Sequence, residues 1–216
     1  DMHGNFFPYD LLRNRDTKGS LSRVSTFMRN ERSQNKDNIL FLDGGDVLQG
    51  QPTVYYYNFI DTVSRHICAS IMNYLEYDAA VPGNHDIEPG HAVYDRWIAE
   101  CNFPVLAANI ISVKSGELYL PPYKVFTKAG VKIAVLGMIT QAIPAWLPEN
   151  LWSGLCFEEI QPTAAKWVPY ILEHEKPDVM IALIHSGLSG GNLTDYHENE
   201  ALFLAQTVPG LDVVFY

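Results

Sequence analysis

At 216 residues, with 47% hydrophobic and 12% aromatic content, the chain is long enough to enclose the full apolar core of one sizeable domain. Its formal charge of −10, from 25 acidic against 15 basic side chains, opposes binding of a nucleic acid polymer but leaves small phosphate esters open as ligands, because bound cations invert the local field of an acidic pocket. No apolar run approaches the roughly 18 to 20 residues of a membrane span, no secretory signal is recognisable, and Cys68, Cys101 and Cys156 lack metal or disulfide spacing and read as buried apolar fillers.

Leu21, Val24, Phe27 and Met28 recur at three-and-four spacing, which predicts a helix over 21–34 that hands over to an apolar strand over 39–42. Tyr55-Tyr56-Tyr57 reads as core or helix packing rather than a substrate wall. A second helix is expected over 62–77, with Ile67, Ile71 and Leu75 on one face and Asp61 as its cap, leading to a strand over 79–81. After a helix over 91–101, residues 104–110 read as a strand, and 123–126 with 131–138 as a hairpin turning at Ala129-Gly130. A helix over 163–175 contains Pro169, which should start, bend or split it. A strand over 179–184, a Gly/Asn-rich loop over 189–196, a short helix over 200–206 and a last apolar run over 211–216 follow. His66, His91 and His174 fall in these helices and read as partly exposed or helix-end residues.

Three of these apolar runs end in short polar motifs: Gly45 to Gly50 after 39–42, Gly83-Asn84-His85-Asp86 after 79–81, and His185-Ser186-Gly187 after 179–184. Asp1-Met2-His3-Gly4 makes a fourth. Open α/β sheets present functional residues where strands end in loops, so motifs far apart in sequence can meet in one crevice. Mixed carboxylate, imidazole and amide-oxygen donors suit manganese, zinc, cobalt or iron, whereas magnesium and calcium prefer all-oxygen shells. A carboxylate between two cations about 3.5 to 4 Å apart can bridge them, and the pair brings the pKa of a shared water toward neutrality. Asp46 is the bridging candidate. Taken alone it would be an ordinary turn residue in Asp-Gly-Gly-Asp; the companion motifs give it the metal reading, and Asp43 beside it reads as structural. His197 follows His185 closely enough to reach the crevice and touch substrate.

In their order, these motifs resemble the calcineurin-like metallophosphoesterases, and within them the 5′-nucleotidase and 2′,3′-cyclic-nucleotide 2′-phosphodiesterase family of secreted or periplasmic bacterial enzymes. The resemblance covers nearly the whole chain: Asp1 to Gly4 is similar to the first family motif, Gly45 to Gly50 to GDxxQG, Gly83 to Asp86 to GNH[ED], and Ala182 to Gly187 to the later single-histidine motif. It implies an α/β fold, a four-layer α/β/β/α sandwich of two mixed sheets, and hydrolysis of nucleotide phosphate esters at two divalent metal ions. It further implies that Asp1 and His3 hold the first metal, that Asp46 bridges, that Asn84 and His185 hold the second with Asn84 also meeting substrate, and that His85 is catalytic rather than a ligand. Glu88 would orient His85, at a position where nucleotidases commonly carry Asp.

Family members also carry a GHxH-type motif directly after a strand resembling residues 211–216, and a C-terminal domain that recognises the nucleoside. Residues 1–216 are therefore expected to be a catalytic domain trimmed at both ends, binding metal weakly and turning over little by itself. Two alternatives stay open: a related esterase acting on sugar-nucleotide pyrophosphates or other esters, and a non-catalytic metal- or ligand-binding module. The nucleotide, the natural metal and the oligomeric state are not legible.

Overall fold

The structure, a computed structural model, describes residues 1–10, 13–189 and 197–216. A short antiparallel pair, β1 (Tyr9–Asp10) and β2 (Arg15–Asp16), precedes α1 (Leu21–Asn35). Next come β3 (Leu42–Asp43), α2 (Pro52–Phe59), α3 (Ile67–Tyr74), β4 (Ala79–Ala80), α4 (Asn84–Ile87) and α5 (His91–Glu100). The second half runs β5 (Ile110–Ser112), β6 (Tyr123–Lys128), β7 (Val131–Ile139), α6 (Ile143–Trp146), β8 (Leu155–Phe157), α7 (Ile160–His174), β9 (Val179–His185), α8 (Ala201–Thr207) and β10 (Val213–Phe215).

Two sheets organise the chain. One is mixed, ordered β10-β9-β7-β6, with β9 parallel to both β7 and β10 and with β6 antiparallel to β7. The other is built on the parallel pair β3-β4 and extended by a parallel bridge from Ala80 to Val105. Side chains alternate across a strand, so Ala134, Leu136 and Met138 of β7 and Met180, Ala182 and Ile184 of β9 face α7 and α8. The intervening Val135, Ile181 and Leu183 face Ala79, Val81 and Leu106 of the other sheet. Both faces of β7 and β9 are thus buried, which is why their sequences run apolar without alternation. Outside the β3-β4 sheet, residues of α1, α3 and α5, among them Leu21, Met72 and Trp97, form the third cluster. The layers are α/β/β/α, as the family resemblance implied.

Several local expectations need correction. The helix over 62–77 is only Ile67–Tyr74, and its cap is His66, whose side chain accepts the Cys68 N–H at 3.2 Å. Asp61 instead accepts the Ser64 N–H at 2.9 Å and closes a separate turn. His66 is fully buried rather than partly exposed, and burial pushes its pKa down to about 4. Of residues 104–110 only Val105, as a bridge, and Ile110, which opens β5, are extended in a ladder, and β5 pairs with β8. Tyr55 and Tyr56 are exposed on α2 rather than core. Pro169 lies inside an unbroken α7, anchored on the sheet by buried Val168 and Ile171. Cys156 is exposed and Cys101 half-buried, so only Cys68 is a buried filler. The hairpin turns at Ala129-Gly130 as expected, both residues with positive φ, the geometry a two-residue hairpin loop requires. Most of the 189–196 loop lies outside the described residues. Among those residues, no helix is long and apolar enough to cross a membrane.

Candidate metal centre

Because β3 and β4 are parallel neighbours, their C-terminal ends open on one edge, where Gly44-Gly45-Asp46 meets Gly83-Asn84-His85. The C-terminal end of β9 delivers His185 to the same place. A crevice of about 460 Å³ lies there, lined by Asp1, Asp46, Asn84, Thr140 and His185 among others. The N-terminal segment is tied in by the His3 N–H, which donates to the Asp46 carbonyl at 2.8 Å. Asp1, His3 and Asp46 each present a ligand atom, all within 4.8 Å of one another.

Asp46 is the hub. Its side chain is buried, Oδ1 accepts the His85 N–H at 2.9 Å, and Oδ2 faces His3 Nε2 at 3.7 Å and His185 Nε2 at 3.4 Å. His185 Nδ1 lies 2.7 Å from the Gly44 carbonyl and can only donate to it, so in the neutral ring Nε2 carries a lone pair. That lone pair faces Asn84 Oδ1 at 3.1 Å and the Asp46 carboxylate. Three electron-rich atoms directed at one another need positive charge between them, from a proton on His185 or from a cation, and the donor set fits a divalent metal. The protein alone supplies part of that charge. Burial would lower the His185 pKa, but hydrogen bonding to Asp46 and its charge turn the net shift upward. Burial would raise Asp46, but His185 holds it below the usual carboxylate range.

Asp86 is the residue that sequence reasoning missed. Fully buried, it accepts four backbone N–H groups: Gly83 and Asp46 on Oδ2 at 2.8 and 2.7 Å, and Val47 and Leu48 on Oδ1 at 2.7 Å each. It thereby locks the Asp46 loop to the Asn84 loop. Burial, then the Asp46 charge, shift its pKa upward against the pull of these donors. Gly83 permits the approach, since a Cβ there would lie 2.1 Å from Asp46 Oδ1. Asp43 accepts the Gly45 N–H at 2.9 Å, and burial pushes its carboxyl up to about 6.

His85 stands beside the cluster, its ring centroid 5.3 Å from that of His3, and its Nδ1 lies 2.5 Å from Glu88 Oε2. The longer glutamate therefore reaches the ring. His197 is not brought to the crevice: it is exposed, pairs with Glu200 at 3.6 Å, and lines a separate small cavity with Gln141 and Phe203. Its neighbours Glu198 and Asn199 line the crevice instead, as does Trp146.

A profile of the calcineurin-like phosphoesterases matches residues 1–216. The chain belongs to the calcineurin-like phosphoesterase family. It is 31% identical to the trifunctional nucleotide phosphoesterase protein YfkN of Bacillus subtilis, over 99% of this chain and 16% of that protein. It is 28% identical to a 2′,3′-cyclic-nucleotide 2′-phosphodiesterase/3′-nucleotidase of Yersinia enterocolitica, over 100% of this chain and 34% of that protein. The chain thus spans about a third or less of these curated relatives. In space it resembles the crystal structure of the calcineurin-like phosphoesterase YfkN from Bacillus subtilis, with a TM-score of 0.84, 30% identity, and coverage of 99% of this chain and 68% of that one. Membership in this phosphoesterase family implies divalent metal ions, in keeping with the donors Asp1, His3 and Asp46.

Proposed function

We propose that this calcineurin-like phosphoesterase hydrolyses nucleotide phosphate esters, as a 5′-nucleotidase or a 2′,3′-cyclic-nucleotide 2′-phosphodiesterase, with residues 1–216 acting as its catalytic domain in the periplasm or outside the cell. The observation that carries the reading is the convergence on Asp46 Oδ2 of His3 and His185, with Asp1 and Asn84 adjoining and the His85–Glu88 pair alongside. Names of the relatives support the nucleotide substrate.

Asp1 and His3 would hold one cation, Asn84 and His185 a second, and Asp46 both; manganese, zinc, cobalt and iron suit this mixed donor set. When bound, such cations supply Lewis acidity at the phosphoryl oxygens and make water a stronger nucleophile near neutral pH. The protein's own part is positioning. Asp86 fixes the Asp46 loop, and Gly44 fixes the His185 ring through Nδ1. Glu88 accepts from His85 Nδ1, so that in the doubly protonated ring the Nε2–H is left to donate to a phosphoryl oxygen or to give its proton to the departing alkoxide.

The test is a turnover assay with added manganese against nucleoside monophosphates, 2′,3′-cyclic nucleotides and sugar nucleotides. Release of phosphate from the first group or ring opening of the second, abolished by Asp46→Asn, is the expected result. Turnover confined to sugar nucleotides, or turnover that survives Asp46→Asn, would contradict the proposal.

A further inference from the structure

The loop that carries Asp46 is held through both its N–H groups and its carbonyls. Asp86 takes the N–H groups of Asp46, Val47 and Leu48. The carbonyls are taken elsewhere: Val47 accepts the Cys68 thiol at 3.4 Å, and Leu48 accepts the Nδ2–H of Asn58, on α2, at 2.8 Å. Asn58 is in turn bonded to His66, its Oδ1 lying 2.8 Å from His66 Nε2. Both side chains are buried, Asn58 at 5% exposure and His66 at 0%, and neither lines the crevice.

The direction of these bonds is fixed from the outer end. His66 Nδ1 accepts the Cys68 N–H at 3.2 Å and so keeps a lone pair there, which in the neutral ring leaves the hydrogen on Nε2. Nε2 therefore donates to Asn58 Oδ1, and the amide is left to present Nδ2 to the Leu48 carbonyl. The backbone of His66 is itself anchored, its N–H donating to Glu100 Oε2 on α5 at 2.5 Å. A contact that merely joined α2 to α3 would be complete with the His66–Asn58 bond. Here the other half of the amide goes to the backbone two residues past Asp46.

Asp46 needs such support. Its φ is 61°, in the left-handed region, where a side chain with a Cβ is strained and persists only if its surroundings over-determine it. In that conformation its Oδ2 faces His3 and His185. We infer that Asn58 and His66 are positioning residues of the metal centre: through the Leu48 carbonyl they complement the Asp86 grip on the N–H groups and keep Asp46 in its left-handed conformation. The inference rests on the metal reading of the crevice, and adds to it two residues that touch neither cation nor substrate.

The experiment pairs a manganese titration with amide hydrogen exchange on the wild type, Asn58→Leu, Asn58→Ser, His66→Leu and His66→Gln, each held below its unfolding transition as followed by circular dichroism. Both Asn58 variants lose the donor to Leu48 and should weaken manganese binding about tenfold, the lower end of the usual effect of loosening a group behind the ligands. Exchange of the amides from Asp46 to Gln49 should quicken by about the same factor, and Asn58→Ser carries the test should the larger apolar side chain prevent folding. His66→Leu should act in the same direction, and the double Leu variant should lose no more than Asn58→Leu, because both residues act through one carbonyl. His66→Gln, whose amide returns a donor near the place of Nε2, should restore both readouts. Wild-type affinity in the Asn58 variants, unchanged exchange in the loop, additive losses in the double variant, or no rescue by His66→Gln overturns the inference. So does a loss of global stability alone, with the affinity and loop exchange of the folded protein unmoved. A wild type that binds no manganese overturns the reading of the crevice instead, and loop exchange with its rescue then decides by itself whether Asn58 and His66 hold the Asp46 loop.

Discussion

Asp86→Asn tests whether one buried carboxylate holds the metal loops together. Each Asp86 oxygen accepts two backbone N–H groups, and an amide nitrogen in either place would face two donors with a donor. A buried N–H left without a partner costs about 1–3 kcal/mol, so two orphans cost about 2–6 kcal/mol. The substitution also removes a charge that burial disfavours, which offsets part of that loss and brings the expected destabilisation to about 2 kcal/mol. With a urea m-value of about 2 kcal/mol/M, the unfolding midpoint should fall by about 1 M. Since Asp46 loses the anchor for its own N–H, manganese affinity should fall by about 10- to 100-fold, the usual effect of loosening a group behind the ligands. Urea unfolding monitored by circular dichroism, paired with a manganese titration, reads both. An unchanged midpoint and unchanged affinity would refute the argument that Asp86 couples the loops.

Three further outcomes are expected. His85→Asn should keep metal stoichiometry and lose about 10²- to 10⁴-fold in kcat, with Glu88→Gln losing less; loss of metal in His85→Asn would place the ring among the ligands. The folded pKa of His66, about 4, lies below its ordinary value of 6.5, so between these values the unfolded chain takes up a proton that the folded chain refuses. Its contribution to stability is complete above about pH 6.5 and declines by about 3 kcal/mol as the pH falls to about 4. Urea midpoints at pH 7 and 4.5 should therefore converge in His66→Gln relative to the wild type, and an equal drop in both proteins would count against it. Gly83→Ala puts a Cβ 2.1 Å from Asp46 Oδ1 and should weaken manganese binding while far-UV circular dichroism stays native; wild-type affinity would show that the loop yields freely.

Periodicity and turn chemistry made much of the fold legible. The apolar runs of β7 and β9 and the Ala129-Gly130 turn follow from strand burial and hairpin geometry. Helix α2 was not legible because it carries Val54, Tyr55, Tyr56, Tyr57 and Phe59 around its circumference, without the three-and-four alternation that marks one apolar face. The meeting of the three motifs after β3, β4 and β9 could be argued from strand ends. The role of Asp86 could not, because its four donors come partly from a loop about 40 residues away that only folding brings near. Proximity in sequence misled for His197: with a φ of 46° the chain turns there, leaving its carbonyl bonded to Gln141 Nε2 and presenting Glu198 and Asn199 to the crevice.

The central claim is that Asp1, His3, Asp46, Asn84 and His185 form one metal centre with Asp46 shared by two ions. Electron paramagnetic resonance during a manganese titration of the wild type and Asp46→Asn tests it most directly. The account predicts a second ion whose spin couples to the first in the wild type, and no coupled signal in Asp46→Asn. Binding of isolated, uncoupled manganese in the wild type, or a coupled pair that persists in Asp46→Asn, would contradict it.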